Sequence, residues 1–175
     1  RTLSLILPAF GAAIIAALAQ IVIPIGAVPI TLQTFAVGLV AAILKPREAT
    51  LAATLYLILG AIGLPVFAGG GGGLQAFFGP SAGYLLAYPF FALVTSALAH
   101  AKTPIWKIFL AFVLGDALVF VGGILSLHFL GKMGWSAAVA VGLTPFIIPD
   151  LLKGLIVALV TKPVLKALKN HSYFN

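Results

Sequence analysis

Apolar residues run through this chain in long uninterrupted blocks, and polar or helix-breaking residues gather at the joints between them. Strand-like alternation is absent, and the blocks are rich in Leu, Ala, Ile and Val, which favours membrane helices over a barrel. The pattern predicts six spans. The first covers about residues 3–23 and is broken by residues 24–34, which carry Pro24, Gly26 and Pro29. The second and third cover about 33–44 and 49–62, with Lys45-Pro46-Arg47-Glu48 turning between them. Both fall short of the about 20 residues that a bilayer crossing needs. Short or Gly/Pro-interrupted spans point toward a substrate site in transporters. The fourth, about 82–101, contains Pro89, predicted to kink it. Lys102-Thr103-Pro104 leads to the fifth, about 105–130. A weaker apolar stretch, 135–143, precedes the sixth span, which follows Pro145 and Pro149 and ends in Lys162, Lys166 and Lys169. Arg1, the first apolar run and Ala17-Leu18-Ala19 together look like a secretory signal with its cleavage site. The run is longer than a signal core, so a retained helix is expected.

Residues 63–84, GLPVFAGGGGGLQAFFGPSAGY, break the pattern most. Five consecutive glycines cannot serve a helix, where each costs about 1 kcal/mol against Ala. They suit backbone that takes positive φ or approaches another group closely. The flanking Leu64, Val66, Phe67, Leu74, Phe77 and Phe78 are apolar, so the stretch is expected to fold back as a lid or pocket wall rather than hang in solvent.

Only 7% of the 175 residues are charged and 62% are hydrophobic, with mean hydropathy +1.22. Soluble domains carry about 25% charged residues, so this is read as an all-α integral membrane protein, one domain over residues 1–175. The absence of Cys excludes disulfides and thiolate metal sites. A net charge of +7 would suggest nucleic acid in a soluble protein, but here its distribution follows topology. With six spans and both termini inside, Arg1, Lys45, Arg47, Lys102, Lys107, Lys162, Lys166 and Lys169 are all cytoplasmic, 8 of the 10 basic residues. No nucleic-acid partner is expected. The same assignment puts residues 24–34, 63–84 and 130–144 on the outer face.

Ionisable groups within a span are costly and are functional candidates by default. Asp150 and Lys153 are three apart on one helix face and can pair, either as a structural pin between helices or as an acceptor and donor for a polar ligand. Their place near the outer end of the sixth span favours the ligand. Asp116 stands alone in the fifth span, open to a structural hydrogen bond or an ion site. Thr31, Gln33, Gln75, Ser81, Tyr84 and Tyr88 supply uncharged polar groups near the outer face, and Phe35, Phe67, Phe77 and Phe78 supply apolar walls. Small-molecule sites are built this way, mostly apolar with a few aimed polar groups. Ala9, Ala13 and Ala17, with Ala12 and Ala16 beside them, form a small-residue stripe that allows close helix approach, to a partner or within the bundle. His100, His128 and His171 do not converge on this topology, so no metal is expected. There is no P-loop and no nucleophile–base arrangement, so the chain is read as no enzyme.

Three blocks taken together carry a resemblance: Val28-Pro29-Ile30-Thr31-Leu32-Gln33-Thr34, Gly63-Leu64-Pro65-Val66-Phe67-Ala68-Gly69-Gly70, and Gly79-Pro80-Ser81-Ala82-Gly83-Tyr84-Leu85. With Asp150 and Lys153 they resemble BioY, the biotin-specific S component of energy-coupling-factor vitamin transporters, over almost the whole chain. The resemblance implies a multi-pass protein of the prokaryotic cell membrane, surrounded by lipid, whose six helices bind biotin from outside. It implies that the helix 1 stripe docks on a transmembrane coupling subunit carrying two ABC-type ATPases, which use the ATP; this chain itself then needs no cofactor. On this reading Asp150 accepts from the ureido N–H groups, and Lys153 donates to the ureido carbonyl or to the carboxylate. Gln75, Tyr84, Gln33 and Tyr88 add polar contacts, and Phe67, Phe77, Phe78 and Gly70 enclose the ring. Two alternatives stay open: an S component for another vitamin, and a self-sufficient ion-coupled secondary transporter.

Overall fold

The computed structural model describes residues 2–24, 29–99 and 102–174. Arg1, Gly26, Val28 and His100 lie outside the described residues. Six long helices form the body: α1 Thr2–Leu18, α2 Gln33–Ile43, α3 Pro46–Ala61, α4 Ala82–Leu98, α5 Ile105–Phe129 and α7 Ile147–Leu168, with a short α6 Trp135–Gly142 before the last. Among the described residues two segments, Ile105–Phe129 and Trp135–Leu168, are long and apolar enough to cross a membrane by themselves.

The first span ends earlier than the pattern predicts. After Leu18 the chain tightens into i→i−3 turns, and Gln20 Nε2 donates to Ala16 O at 3.0 Å and to Phe67 O at 3.1 Å. Val22–Ile23 then pairs antiparallel with Ile30–Thr31, a two-strand ribbon that hydrophobicity did not reveal. Residues this apolar read as helix until Pro24 and Pro29 remove the donors a helix would need. The last span starts at Ile147, before Pro149, because a proline in the first turn costs no intrahelical bond. α4 runs unbroken through Pro89.

α4 and α5 pack most closely. A Cβ on Gly83 would fall on the carbonyl oxygen of Gly122, so only glycine lets these backbones meet there. Phe91 stacks edge-on against Phe112 at 5.2 Å in the centre of the core. At the far end of the bundle, Tyr173 donates to Glu48 Oε1 at 2.8 Å and accepts from the Lys45 backbone N–H at 2.8 Å. Burial raises the Glu48 carboxyl, but hydrogen bonds from Tyr173 and Arg47 outweigh it and hold the group below its ordinary range.

The bundle has two chemically different ends. α2 starts beside Thr31 and Thr34 and ends at Ile43, ten residues and about 15 Å along its axis from Gln33, with Lys45 in the turn that follows. α7 likewise runs from Asp150 to Lys162. Prolines, glycines and aromatics therefore gather at one end and cations at the other.

Candidate functional site

At the polar-loop end the irregular segments meet around a cavity of about 420 Å³. Its wall is the glycine-rich stretch, and the conformation of that stretch explains its composition. Gly69, Gly70 and Gly73 take φ of 65°, 84° and 104°, the left-handed region that side chains disfavour. A Cβ on Gly72 would collide with the Leu64 carbonyl. The stretch is pinned at three places. Gly73 N–H donates to Gly60 O at 2.6 Å, Gly69 N–H to Ala19 O at 3.3 Å, and Ser126 Oγ to Pro80 O at 2.6 Å. Phe67 plugs it into the bundle, buried, with its ring 5.5 Å from Tyr56 and 5.8 Å from Phe77.

Asp150 and Lys153 both line this cavity and both are buried. Lys153 Nζ donates to Thr31 O at 2.7 Å and to Thr34 Oγ1 at 3.0 Å, which ties α7 to the start of α2. It stands 3.0 Å from Asp150 Oδ1, an ion pair. The pair is not aligned as a hydrogen bond, so this buried oxygen has no hydrogen-bond partner. An unsatisfied buried acceptor costs about 1–3 kcal/mol, a cost that a ligand N–H would relieve.

Asp116 does not stand alone, as the sequence reading had it. It and Asp150 both line a second cavity of about 330 Å³ between α5 and α7. Spacing along one helix could not show that two acids on different helices line one cavity.

Of the other expected site residues, Gln33, Gln75, Tyr84, Tyr88 and Phe67 line the cavity. Several are already committed to the protein. Gln33 Nε2 donates to Tyr56 at 2.8 Å and its Oε1 accepts from Tyr88 at 3.2 Å, forming a buried polar floor. The Tyr84 hydroxyl donates to Gly142 O at 2.6 Å, so it anchors α6 and offers the cavity its ring. Gln75 Nε2 bonds Gly72 O at 2.7 Å within its own loop.

Phe77, Phe78 and Gly70 are not in the lining. Phe77 supports Phe67 from behind, Phe78 is 71% exposed, and Gly70 faces away as an exposed turn residue. Aromatic composition flagged Phe77 and Phe78, but the 3₁₀ turn over Leu74–Phe77 sets both outside the cavity wall. Phe120 and Phe146 take their place, 6.1 Å apart, with Tyr84 6.4 Å from Phe120. Each lies four residues from an acid, Phe120 after Asp116 and Phe146 before Asp150, and helical spacing from the acids would have found both. Thr34, also in the lining, was missed as well.

The alanine stripe splits. Ala9, Ala13 and Ala17 are exposed and face away from the bundle. Ala12 is buried in the core and Ala16 packs partly against it, so neither belongs to an outward surface. Of the described histidines, His128 and His171 stay apart: His128 Nδ1 bonds Met133 O at 2.7 Å and its ring stacks on Trp135, while His171 sits in the C-terminal turn.

With this geometry in hand, comparison with known proteins is specific. The model of the BioY family matches residues 1–170. The chain is 44% identical over 173 residues to a biotin transporter BioY2 of Lactococcus lactis subsp. cremoris, covering 98% of this chain and 95% of that one. It is 39% identical over 142 residues to a biotin transporter BioY of Thermotoga maritima, covering 81% and 83%. A solved S-component for biotin from an ECF-type ABC transporter superposes with TM-score 0.87 at 28% identity, over 98% of this chain and 95% of that chain.

Proposed function

The chain belongs to the BioY family, and from that premise we propose that it captures biotin as the substrate-binding subunit of an ATP-driven energy-coupling-factor importer. It is a membrane protein whose relatives are biotin transporters. The observation that carries the reading is Asp150 Oδ1, a buried carboxylate oxygen with no hydrogen-bond partner on the wall of a cavity otherwise lined largely by aromatic and apolar groups. A ureido ring offers the N–H groups this oxygen lacks. Phe67, Phe120, Phe146 and the Tyr84 ring suit the thiophane ring and the aliphatic tail. Lys153 meets the ureido carbonyl or the carboxylate.

A nanomolar dissociation constant corresponds to about −12 kcal/mol. Over biotin's roughly 16 non-hydrogen atoms this is about −0.75 kcal/mol each, within the ceiling for small ligands but only with near-complete enclosure. The pinned glycine-rich wall supplies much of that enclosure. Transport needs partners: a transmembrane coupling subunit and two ABC-type ATPases, with Ala9, Ala13 and Ala17 as the docking face. The chain itself uses no cofactor and catalyses no reaction; the ATP is consumed by the partners. Calorimetry of the detergent-solubilised protein tests the ligand: biotin binds with nanomolar affinity while thiamin and riboflavin do not. Tighter binding of either other vitamin would overturn the assignment. ATP-independent biotin uptake into liposomes by this chain alone would instead make it a secondary transporter.

The bundle crosses the cell membrane six times with the cavity outside and the lysine-rich end in the cytoplasm. Single Cys residues at Gly71 and Gly134, where a Cβ meets no close side-chain clash, then react with an impermeant thiol reagent in intact cells. One at Lys102 stays unlabelled. The reverse labelling would place the cavity on the cytoplasmic side.

A further inference from the structure

We infer that Gly123 and Gly142 set the width of the ligand cavity and so its selectivity, by forming a slot that takes the Tyr84 ring out of the space a bicyclic ligand needs. The inference rests on the biotin reading above and deepens it. Tyr84 lines the cavity from α4 and is half-buried. A Cβ on Gly123 of α5 would fall on the Tyr84 ring, against Cζ and both Cε atoms. A Cβ on Gly142, at the end of α6, would meet the hydroxyl oxygen of the same tyrosine and Cδ1 of Leu127. Two glycines on two different helices therefore make room for one side chain of the cavity wall.

Backbone conformation accounts for neither glycine. Both lie in helices and neither takes positive φ, and glycine weakens a helix relative to alanine. Gly115 and Gly122, the other glycines of α5, are explained by the contact with α4. A Cβ on Gly115 would meet Thr95 and Phe91, and one on Gly122 would meet the Gly83 carbonyl. Gly123 differs, because what fills its place is an aromatic ring of the ligand cavity. That ring is confined on other sides too. Phe120, three residues before Gly123 on one face of α5, stands edge-on to it with centroids 6.4 Å apart. Its hydroxyl is tethered to Gly142 O at 2.6 Å. With α5 behind, Phe120 beside and α6 at the hydroxyl, the ring can retreat only toward the cavity it lines.

A methyl group at position 123 drives the ring back by about 1 Å or more before carbon contacts recover their ordinary separation of about 3.5–4.0 Å. The cavity loses that width along the wall formed by Tyr84, Phe120 and Phe146. Biotin carries two fused rings, so a narrower cavity penalises it more than a slimmer relative. Dethiobiotin lacks the sulfur and with it the second ring, but keeps the ureido group, the aliphatic tail and the carboxylate. The two ligands thus offer the same groups to Asp150 and Lys153 and differ in breadth.

Calorimetry of the full-length protein in detergent compares the two ligands. Gly123→Ala should weaken biotin about tenfold and dethiobiotin less than about threefold, and Gly142→Ala should move the ratio in the same direction. Gly134→Ala, where a Cβ meets open space, should change both by less than about twofold. In a Tyr84→Ala background, adding Gly123→Ala should cost biotin less than about twofold, because no ring remains to displace. Undiminished biotin affinity in Gly123→Ala, equal losses for the two ligands, or the full loss in the Tyr84→Ala background overturns the slot. Should Gly123→Ala fail to accumulate, the Tyr84→Ala/Gly123→Ala protein should accumulate. If that protein fails as well, the clash lies with another neighbour and the slot is overturned. Wild-type protein that binds no biotin defeats the functional reading, and the slot is then decided by fluorine NMR of protein labelled with 3-fluorotyrosine. Gly123→Ala should move the Tyr84 resonance, assigned from Tyr84→Phe, and an unmoved resonance overturns the slot.

Discussion

Asp150→Asn is expected to weaken biotin binding by about 10- to 150-fold, the range set by losing a charged hydrogen-bond acceptor worth about 1.5–3 kcal/mol. The buried Oδ1 that awaits a donor becomes part of a neutral amide, and the favourable pairing with Lys153 at 3.0 Å is lost with it. Lys153→Met should do comparable damage to binding and more to the fold. It strands the Asp150 carboxylate and releases the Thr31 carbonyl and Thr34 hydroxyl. Removing one partner of a buried pair typically costs about 3–5 kcal/mol. Titration and thermal melting on the same preparations separate the two effects. Biotin methyl ester then distinguishes the possible partners of Lys153. If the lysine holds the ligand carboxylate, the ester binds wild-type protein poorly and loses little more in Lys153→Met. If it holds the ureido carbonyl, acid and ester lose affinity equally. Wild-type affinity in both single variants would reduce the pair to a structural pin between α7 and α2.

Leu at both Ala13 and Ala17 is expected to abolish ATP-driven biotin uptake while leaving biotin affinity within about threefold, under 1 kcal/mol. Both alanines are exposed on the side of α1 turned from the bundle, and small residues let a second helix approach closely in lipid. Two isobutyl groups hold a partner helix away by steric bulk. The biotin cavity takes its walls from α2, α4, α5, α7 and the loops, and α1 contributes none of the lining residues. Uptake assays and co-purification with the ATPase subunits read the docking; calorimetry reads the cavity. Ala12→Leu makes an instructive contrast, because Ala12 is 1% exposed. That substitution should lower thermal stability, as overpacking a well-filled core typically costs about 1–3 kcal/mol. Loss of binding together with uptake in the Ala13/Ala17 variant would place the stripe inside the packing of the helices.

Much of this protein could be read from its chain. Long Leu/Ala/Ile/Val blocks with few charges admit little besides a helical membrane bundle, because only helices and closed barrels satisfy their backbone hydrogen bonds in hydrocarbon and the chain lacks the alternation a barrel needs. The i, i+3 spacing of Asp150 and Lys153 places them on one helical face whatever the rest of the fold does. The concentration of cations in alternate joints separates the two ends of the bundle. Each of these properties depends on composition or on spacing within a single element.

What the tertiary structure alone decided are the meetings between elements. Asp116 of α5 and Asp150 of α7 come to line one cavity, and Lys153 reaches Thr31 over 122 positions of chain. Phe120 and Phe146 enter the cavity wall while Phe77 and Phe78 turn away from it, because a short 3₁₀ turn sets the rotation of the loop. Gln33, Tyr84 and Gln75 proved to be held by protein partners. Hydrophobicity and residue type state what a side chain can do; which neighbour satisfies it depends on how the helices pack, and packing joins residues far apart in sequence. The alanine stripe shows the boundary between the two kinds of information. Its four-residue period was visible in the chain, but only the bundle shows that Ala9, Ala13 and Ala17 face outward while Ala12 is buried in the core.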